Sequence, residues 1–202
     1  MAQNIVIIDY GVGNLASLKN AFDYLGYDIV VTSNILEVKK ADKLILPGVG
    51  AFKPAIEKLR HGKFNEVIVE KVDKNIPLLG ICLGMQLLFT KSYENGVWKG
   101  LDLIDGEVLK IEGVEKVPHM GWNSVEIIAD NELFRGIRSG EYFYFVHSYY
   151  CRPAYSRNVI AVTEYGRKFC VATAQDYVYG VQFHPEKSHK VGLKLLENFA
   201  KL

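Results

Sequence analysis

Asn75–Phe89 reads NIPLLGICLGMQLLF, and its middle decides what kind of fold this chain has. Pro77–Ile81 is a short apolar run of the length of one buried strand. A helical stretch follows, so strand gives way to helix at Cys82. Gly80 and Gly84 stand two residues before and two after that cysteine. Small residues there make room for a tight turn, which strains the residue at its apex and exposes its side chain. The pattern is the nucleophile elbow G-x-S-x-G with Cys in place of Ser. A helix N-terminus lowers a thiol pKa and offers free N–H groups to an oxyanion. Buried cysteines also act as small hydrophobes, and the pentapeptide alone leaves both readings open.

Upstream of the elbow, strands and helices alternate. Asn4–Asp9 (NIVIID) is a buried strand ended by Tyr10-Gly11. Leu15, Leu18, Phe22 and Leu25 follow at helical spacing, with Asn14 placed to cap and Gly26 to stop. Asp28–Thr32 and Lys43–Pro47 are further strands; Ala51–Arg60 and Phe64–Lys71 read as helices. Continuous apolar strands separated by helices imply a parallel sheet covered on both faces. Downstream the texture changes to short strand-like runs: Gly106–Ile111, Trp122–Ile128, Tyr142–His147, Val159–Thr163, Phe169–Ala172 and Tyr177–Gln182. Turn residues between them predict antiparallel hairpins added to the sheet. A helix from Ser188, with Val191, Leu195, Leu196 and Phe199 as its apolar stripe, closes the chain.

The 202 residues suit one domain over 1–202. A net charge of +1 gives no push toward nucleic acid or an anionic membrane. The longest apolar run, Ile76–Phe89, contains Pro77 and Gln86 and is too short to span a bilayer. The opening MAQNIVIIDYG lacks the basic and long apolar regions of a signal peptide. Three cysteines, Cys82, Cys151 and Cys170, are odd in number and read as reduced thiols of a cytoplasmic protein.

A cysteine nucleophile needs a base, and the base an orienting partner. Of the five histidines, His61 and His189 read as exposed, and His119 and His147 as packed or hydrogen-bonded residues of strands. His184 follows an apolar strand, where sites lie in open α/β sheets. Glu186 is two residues on, and in extended backbone residues two apart point the same way. Cys82, His184 and Glu186 thus supply nucleophile, base and carboxylate. Pro47-Gly48-Val49-Gly50, after the third strand, has the character of a loop that presents N–H groups to a developing negative charge. Gly11-Val12-Gly13-Asn14-Leu15-Ala16 fits the dinucleotide fingerprint. The second strand, however, ends Val31-Thr32-Ser33-Asn34 without the ribose-binding acid, which argues against a nucleotide site.

PGVG, GICLGMQ and FHPEKS, in that order, resemble the class I (triad) glutamine amidotransferases. DYGVGN, VPHMGWN, YFVHSY and HPEKS narrow the resemblance to the glutaminase subunits of imidazole glycerol phosphate synthases, across essentially the whole chain. The resemblance implies a flavodoxin-like α/β fold: a mostly parallel central sheet flanked by helices, with antiparallel strands added in the C-terminal half. It implies hydrolysis of L-glutamine by Cys82, His184 and Glu186 through a thioester, with no metal or organic cofactor. Leu83, Val49 and Gly50 would form the oxyanion hole. Gln86, Glu94, Ser148 and Tyr149 would bind glutamine. Ammonia would pass to a (β/α)8-barrel cyclase in a heterodimer, with Asn14, Trp122, Tyr144 and Lys187 at or near the docking surface. Read from the residues alone, Trp122 and Tyr144 are core aromatics. A paralogous subunit feeding a sugar-amidinating synthase would carry the same glutamine-hydrolysing residues. A non-catalytic member of the fold would not need the complete triad, and a Rossmann oxidoreductase lacks its acidic residue.

Overall fold

The structure, a computed structural model, describes residues 4–114 and 116–202. Met1–Gln3, part of the segment read for a signal peptide, lie outside them. The first half alternates β1 (Ile5–Ile8), α1 (Leu15–Tyr24), β2 (Ile29–Thr32), α2 (Ile35–Lys39), β3 (Lys43–Leu46), α3 (Phe52–His61), α4 (Phe64–Asp73) and β4 (Leu78–Ile81). Then come α5 (Leu83–Leu87), β5 (Phe89–Ser92), β6 (Trp98–Lys99) and β7 (Ile104–Lys110). The rest is β8 (His119–Ser124), β9 (Glu126–Ile127), β10 (Tyr142–His147), β11 (Tyr149–Pro153), β12 (Val159–Glu164), β13 (Lys168–Gln175), β14 (Val178–Val181) and α6 (His189–Ala200).

Strands β2, β1, β3, β4 and β14 lie side by side in parallel. This is the flavodoxin-like 2-1-3-4-5 order, with its fifth strand drawn from the far end of the chain. Antiparallel β13 joins β14 and extends the sheet through β11 to β7. β5 joins β7 in parallel and β6 closes that edge. In β1 successive residues face opposite sides. Ile5 and Ile7 share a core with Leu18 and Phe22 of α1 and Leu195 and Phe199 of α6. Val6 and Ile8 share the other core with Ile56 of α3 and Ile68 of α4. An all-apolar strand is what a doubly covered sheet requires. Each such buried side chain contributes ~1.5–3 kcal/mol.

The fold class and the early elements agree with the sequence reading, and several later features differ. The helix after the elbow is one short piece, because tertiary bonds capture its last carbonyls: Leu101 N–H donates to Leu87 (2.8 Å) and Leu103 N–H to Leu88 (2.8 Å). The chain therefore leaves α5 as an unanticipated strand, β5. Trp122–Ile128 is two strands, broken at the buried Val125. Among the described residues β8 pairs only with β10, in a two-stranded ribbon apart from the main sheet, while β9 pairs with β12. β11, also unanticipated, restarts directly after Ser148. Asn14 caps α1 by accepting from the Ser17 N–H (3.4 Å), and Asn34 caps α2 by accepting from Leu36 (2.9 Å).

Candidate active site

The elbow forms where β4 meets α5. Cys82 adopts φ 55° and ψ −112°, a left-handed backbone that a non-glycine residue holds only under strain. The bend is possible because α5 starts hard against the end of β3. A Cβ at Gly84 would sit 1.8 Å from the Leu46 carbonyl oxygen. Cys82 N–H still donates to Val181 of β14 (2.7 Å), so the sheet ladder runs up to the bend. Cys82 is left 6% exposed and lines a cavity of about 340 Å³.

His184 reaches this cavity from the end of β14, tied to the ribbon by its N–H donating to the Tyr144 carbonyl (2.9 Å). Its Nδ1 donates to Glu186 Oε1 at 2.8 Å, and both side chains are buried. The route differs from the extended alternation expected. Residues 185–187 form a 3-10 turn, and that turn folds the carboxylate back onto the ring. With the Nδ1 proton engaged by Glu186, Nε2 is the position left to take the thiol proton. It is buried without a hydrogen-bond partner among the described residues. Burial pulls the His184 pKa down, but the neighbouring Cys82 sulfur and the Glu186 carboxylate outweigh it and raise the ring to about 10, which favours transfer of the thiol proton to Nε2. Burial pushes Cys151 up and Cys170 up to about 12, and neither forms a disulfide.

Of the residues expected at the site, Val49, Gly50, Leu83, Gln86, Glu94, Ser148 and Tyr149 all line the cavity with Cys82 and His184. Gln86 Nε2 donates to the Tyr149 carbonyl (3.2 Å) and to Gln182 Oε1 (3.1 Å). Glu94 Oε2 accepts from the Phe52 N–H at the start of α3 (2.7 Å). Glu186 stands behind His184, outside the cavity lining. Pro118, Val146 and His147 also line it, and Gln182 Nε2 lies 3.7 Å from Cys82 Sγ. Gln182 sits two residues before His184, but nothing in its local pattern marks it. Tyr10, also unmarked, donates its hydroxyl to the Pro47 carbonyl (2.7 Å) beneath the PGVG loop.

Asn14, Trp122, Tyr144 and Lys187 lie outside the cavity. Trp122 is not a core residue: it is 45% exposed, because the ribbon is covered on one face only. It lies flat against His189 (4.8 Å, 9°) and edge-on to Tyr144 (6.0 Å), with the Lys187 ammonium 5.8 Å from the Tyr144 ring. Met120 and Tyr142 are exposed beside them. Among the described residues no cluster of three His, Cys, Asp or Glu is placed to hold a metal ion, and no helix is long and apolar enough to cross a membrane.

A fold of this order with a thiol elbow and a carboxylate-oriented imidazole defines a class of protein, and residues 6–202 match the family model described as glutamine amidotransferase class-I. The chain belongs to that family. More narrowly, it is 50% identical over 198 residues to "Imidazole glycerol phosphate synthase subunit HisH" of Chlorobaculum tepidum, covering 97% of this chain and 98% of the relative. It is 51% identical over 199 residues to the protein of the same name from Methanocaldococcus jannaschii, covering 98% and 99%. At that likeness the chain stands among the HisH subunits. Solved structures share the fold. A glutamine amidotransferase superposes with TM-score 0.77 at 18% identity, covering 98% of this chain and 99% of its own. PurLQS from Thermotoga maritima does so with TM-score 0.73 at 18% identity, covering 100% and 99%.

Proposed function

We propose that Cys82 hydrolyses L-glutamine with His184 as its base and Glu186 as the orienting carboxylate. The chain is a glutaminase subunit of imidazole glycerol phosphate synthase, acts in histidine biosynthesis and works with a cyclase subunit. The names of its relatives favour that pathway over a sugar-amidinating one. In the proposed reaction the thiol proton moves to His184 Nε2 and the thiolate attacks the side-chain amide carbon. Backbone N–H groups of Leu83 and of Val49-Gly50 hold the tetrahedral oxyanion. The imidazolium returns its proton to the amide nitrogen, the C–N bond breaks, and ammonia leaves a γ-glutamyl thioester. Water, deprotonated by His184, then cleaves the thioester to glutamate and free thiol. Glu94 meets the substrate α-amino group, Gln86 lines its side, and the Ser148-Tyr149 backbone meets its carboxylate.

The observation that carries this reading is the 2.8 Å Nδ1–Oε1 contact, which leaves an unpartnered buried Nε2 in the cavity that holds a strained thiol. A diazoketone analogue of glutamine tests it. Peptide mass spectrometry should find one alkylated cysteine, Cys82; label on Cys151 or Cys170 instead overturns the assignment. The outward face of Asn14, Trp122, Tyr144 and Lys187 is the docking surface for a (β/α)8-barrel partner, supported by the exposed ring of Trp122. Residues 1–202 act as one domain, supported by the main sheet, which joins strands of both halves. Three unpaired thiols support a cytoplasmic setting.

A further inference from the structure

The sequence left His119 and His147 as packed strand histidines, and the glutaminase mechanism uses neither. They lie directly opposite each other on β8 and β10, and their nitrogens meet: His119 Nδ1 and His147 Nε2 are 2.9 Å apart. The proton positions follow from the ends of the chain of contacts. His147 Nδ1 is 2.8 Å from the Tyr149 carbonyl, which only accepts, so Nδ1 carries the proton. His147 Nε2 then accepts, and His119 Nδ1 is the donor. His119 Nε2 in turn accepts from Asn123 Nδ2 (3.2 Å). The Asn123 amide is itself oriented: its Oδ1 accepts from the Ser124 N–H (2.8 Å) and its Nδ2 also donates to the Glu164 carbonyl (2.9 Å). Gly121, between His119 and Asn123, holds φ 124°. The His119 ring is stacked between Phe145 (4.6 Å) and Tyr165 (4.2 Å).

Every donor in this chain of contacts has an acceptor, and it terminates on the carbonyl that Gln86 also binds. We propose that His119 and His147 are positioning residues for the glutamine site, holding the Tyr149 backbone from the ribbon as Gln86 holds it from α5. Burial keeps both rings neutral, with pKa values lowered to about 4, so the one-proton-per-ring arrangement persists at neutral pH. Ser148 and Tyr149 line the cavity beside His147, so a slack Tyr149 carbonyl displaces the wall that meets the substrate. The inference rests on the glutaminase reading of the pocket.

The test uses the assembled two-subunit enzyme and glutamine-dependent turnover. His147→Ala removes the donor to Tyr149. His147→Asn puts an N–H back near the Nδ1 position. His119→Phe keeps the stack with Phe145 and Tyr165 but removes both nitrogens. His147→Ala and His119→Phe should raise KM for glutamine about tenfold while kcat changes less than about threefold. His147→Asn should recover most of the loss. Melting temperature and complex formation by gel filtration report whether each variant is folded and docked. If His147→Ala does not fold, His119→Phe and His147→Asn still decide. An unmoved KM in a folded His119→Phe, a fall confined to kcat, or an Asn variant as poor as Phe overturns the proposal. Wild-type enzyme that fails to consume glutamine overturns the glutaminase reading instead.

Discussion

His184 and His147 line the same cavity and are almost equally hidden, at 2% and 6% exposure, yet they are tuned in opposite directions. His184 lies three residues beyond β14 and faces a carboxylate and a thiol, which hold it near 10 against the pull of burial. His147 ends β10 and faces a neutral ring and a backbone carbonyl. Burial takes it to about 4, opposed by the Tyr149 hydrogen bond and reinforced by the neighbouring His119 and His184. Burial alone disfavours an imidazolium; the partner's charge decides whether that penalty is overcome. One ring is equipped to carry a proton through a reaction, the other to stay neutral and hold geometry.

The widest break in this comparison comes from removing what His184 serves. Cys82→Ala should cut glutamine-dependent turnover by on the order of 10³-fold or more, while ammonia-dependent turnover by the assembled enzyme survives. Equal loss of both contradicts the nucleophile assignment. Glu186→Gln keeps the shape and removes the charge. It should lower kcat by on the order of 10²–10⁴-fold and bring the His184 titration down from about 10, as followed by NMR. A His184 titration that stays put would break the contrast with His147.

Stability sharpens the contrast further. Gly84→Ala forces a Cβ against the Leu46 carbonyl and should cost about 1–3 kcal/mol in a urea melt. A neutral melt excludes the close approach that shapes the elbow. The ribbon histidines predict an acid limb. Unfolded histidine titrates near 6.5, while folded His119 and His147 titrate near 4. Between those values the unfolded chain binds more protons, so stability falls as pH drops from about 6.5 toward 4. The expected loss from pH 7 to 5 is about 1–2 kcal/mol per ring, and His119→Phe should make the limb shallower. Identical limbs in wild type and variant show that other groups titrate. Lys187→Ala has the smallest effect on the fold, within about 0.5 kcal/mol. It should lower partner-dependent stimulation of glutaminase turnover, and stimulation equal to wild type argues against a coupling role.

Much of the parallel half was legible because its rules are local. β1 and β4 carry no polar side chain and β3 is apolar after Lys43, and helical spacing with an Asn cap and a Gly stop marks α1. The elbow was legible for the same reason: the steric demand of one sharp bend falls on Gly80, Cys82 and Gly84 within five residues. What resisted reading was set at a distance. Carbonyls at the end of α5 are taken by residues 101 and 103, which cuts the helix and creates β5. Trp122 looks like core until β8 is seen to pair with β10 and leave one face open.

The sequence by itself determined the sheet's parallel half, the turn that raises Cys82, and the choice of His184 and Glu186 as its companions. Spacing and sterics along a short stretch of chain suffice for these. Only the tertiary structure decided the 3-10 turn that brings Glu186 to the ring, the approach of Gln182 to the thiol, and the pairing of His119 with His147. These depend on register between segments far apart in sequence, and a one-residue slip in such pairing turns a side chain from the pocket to the opposite face.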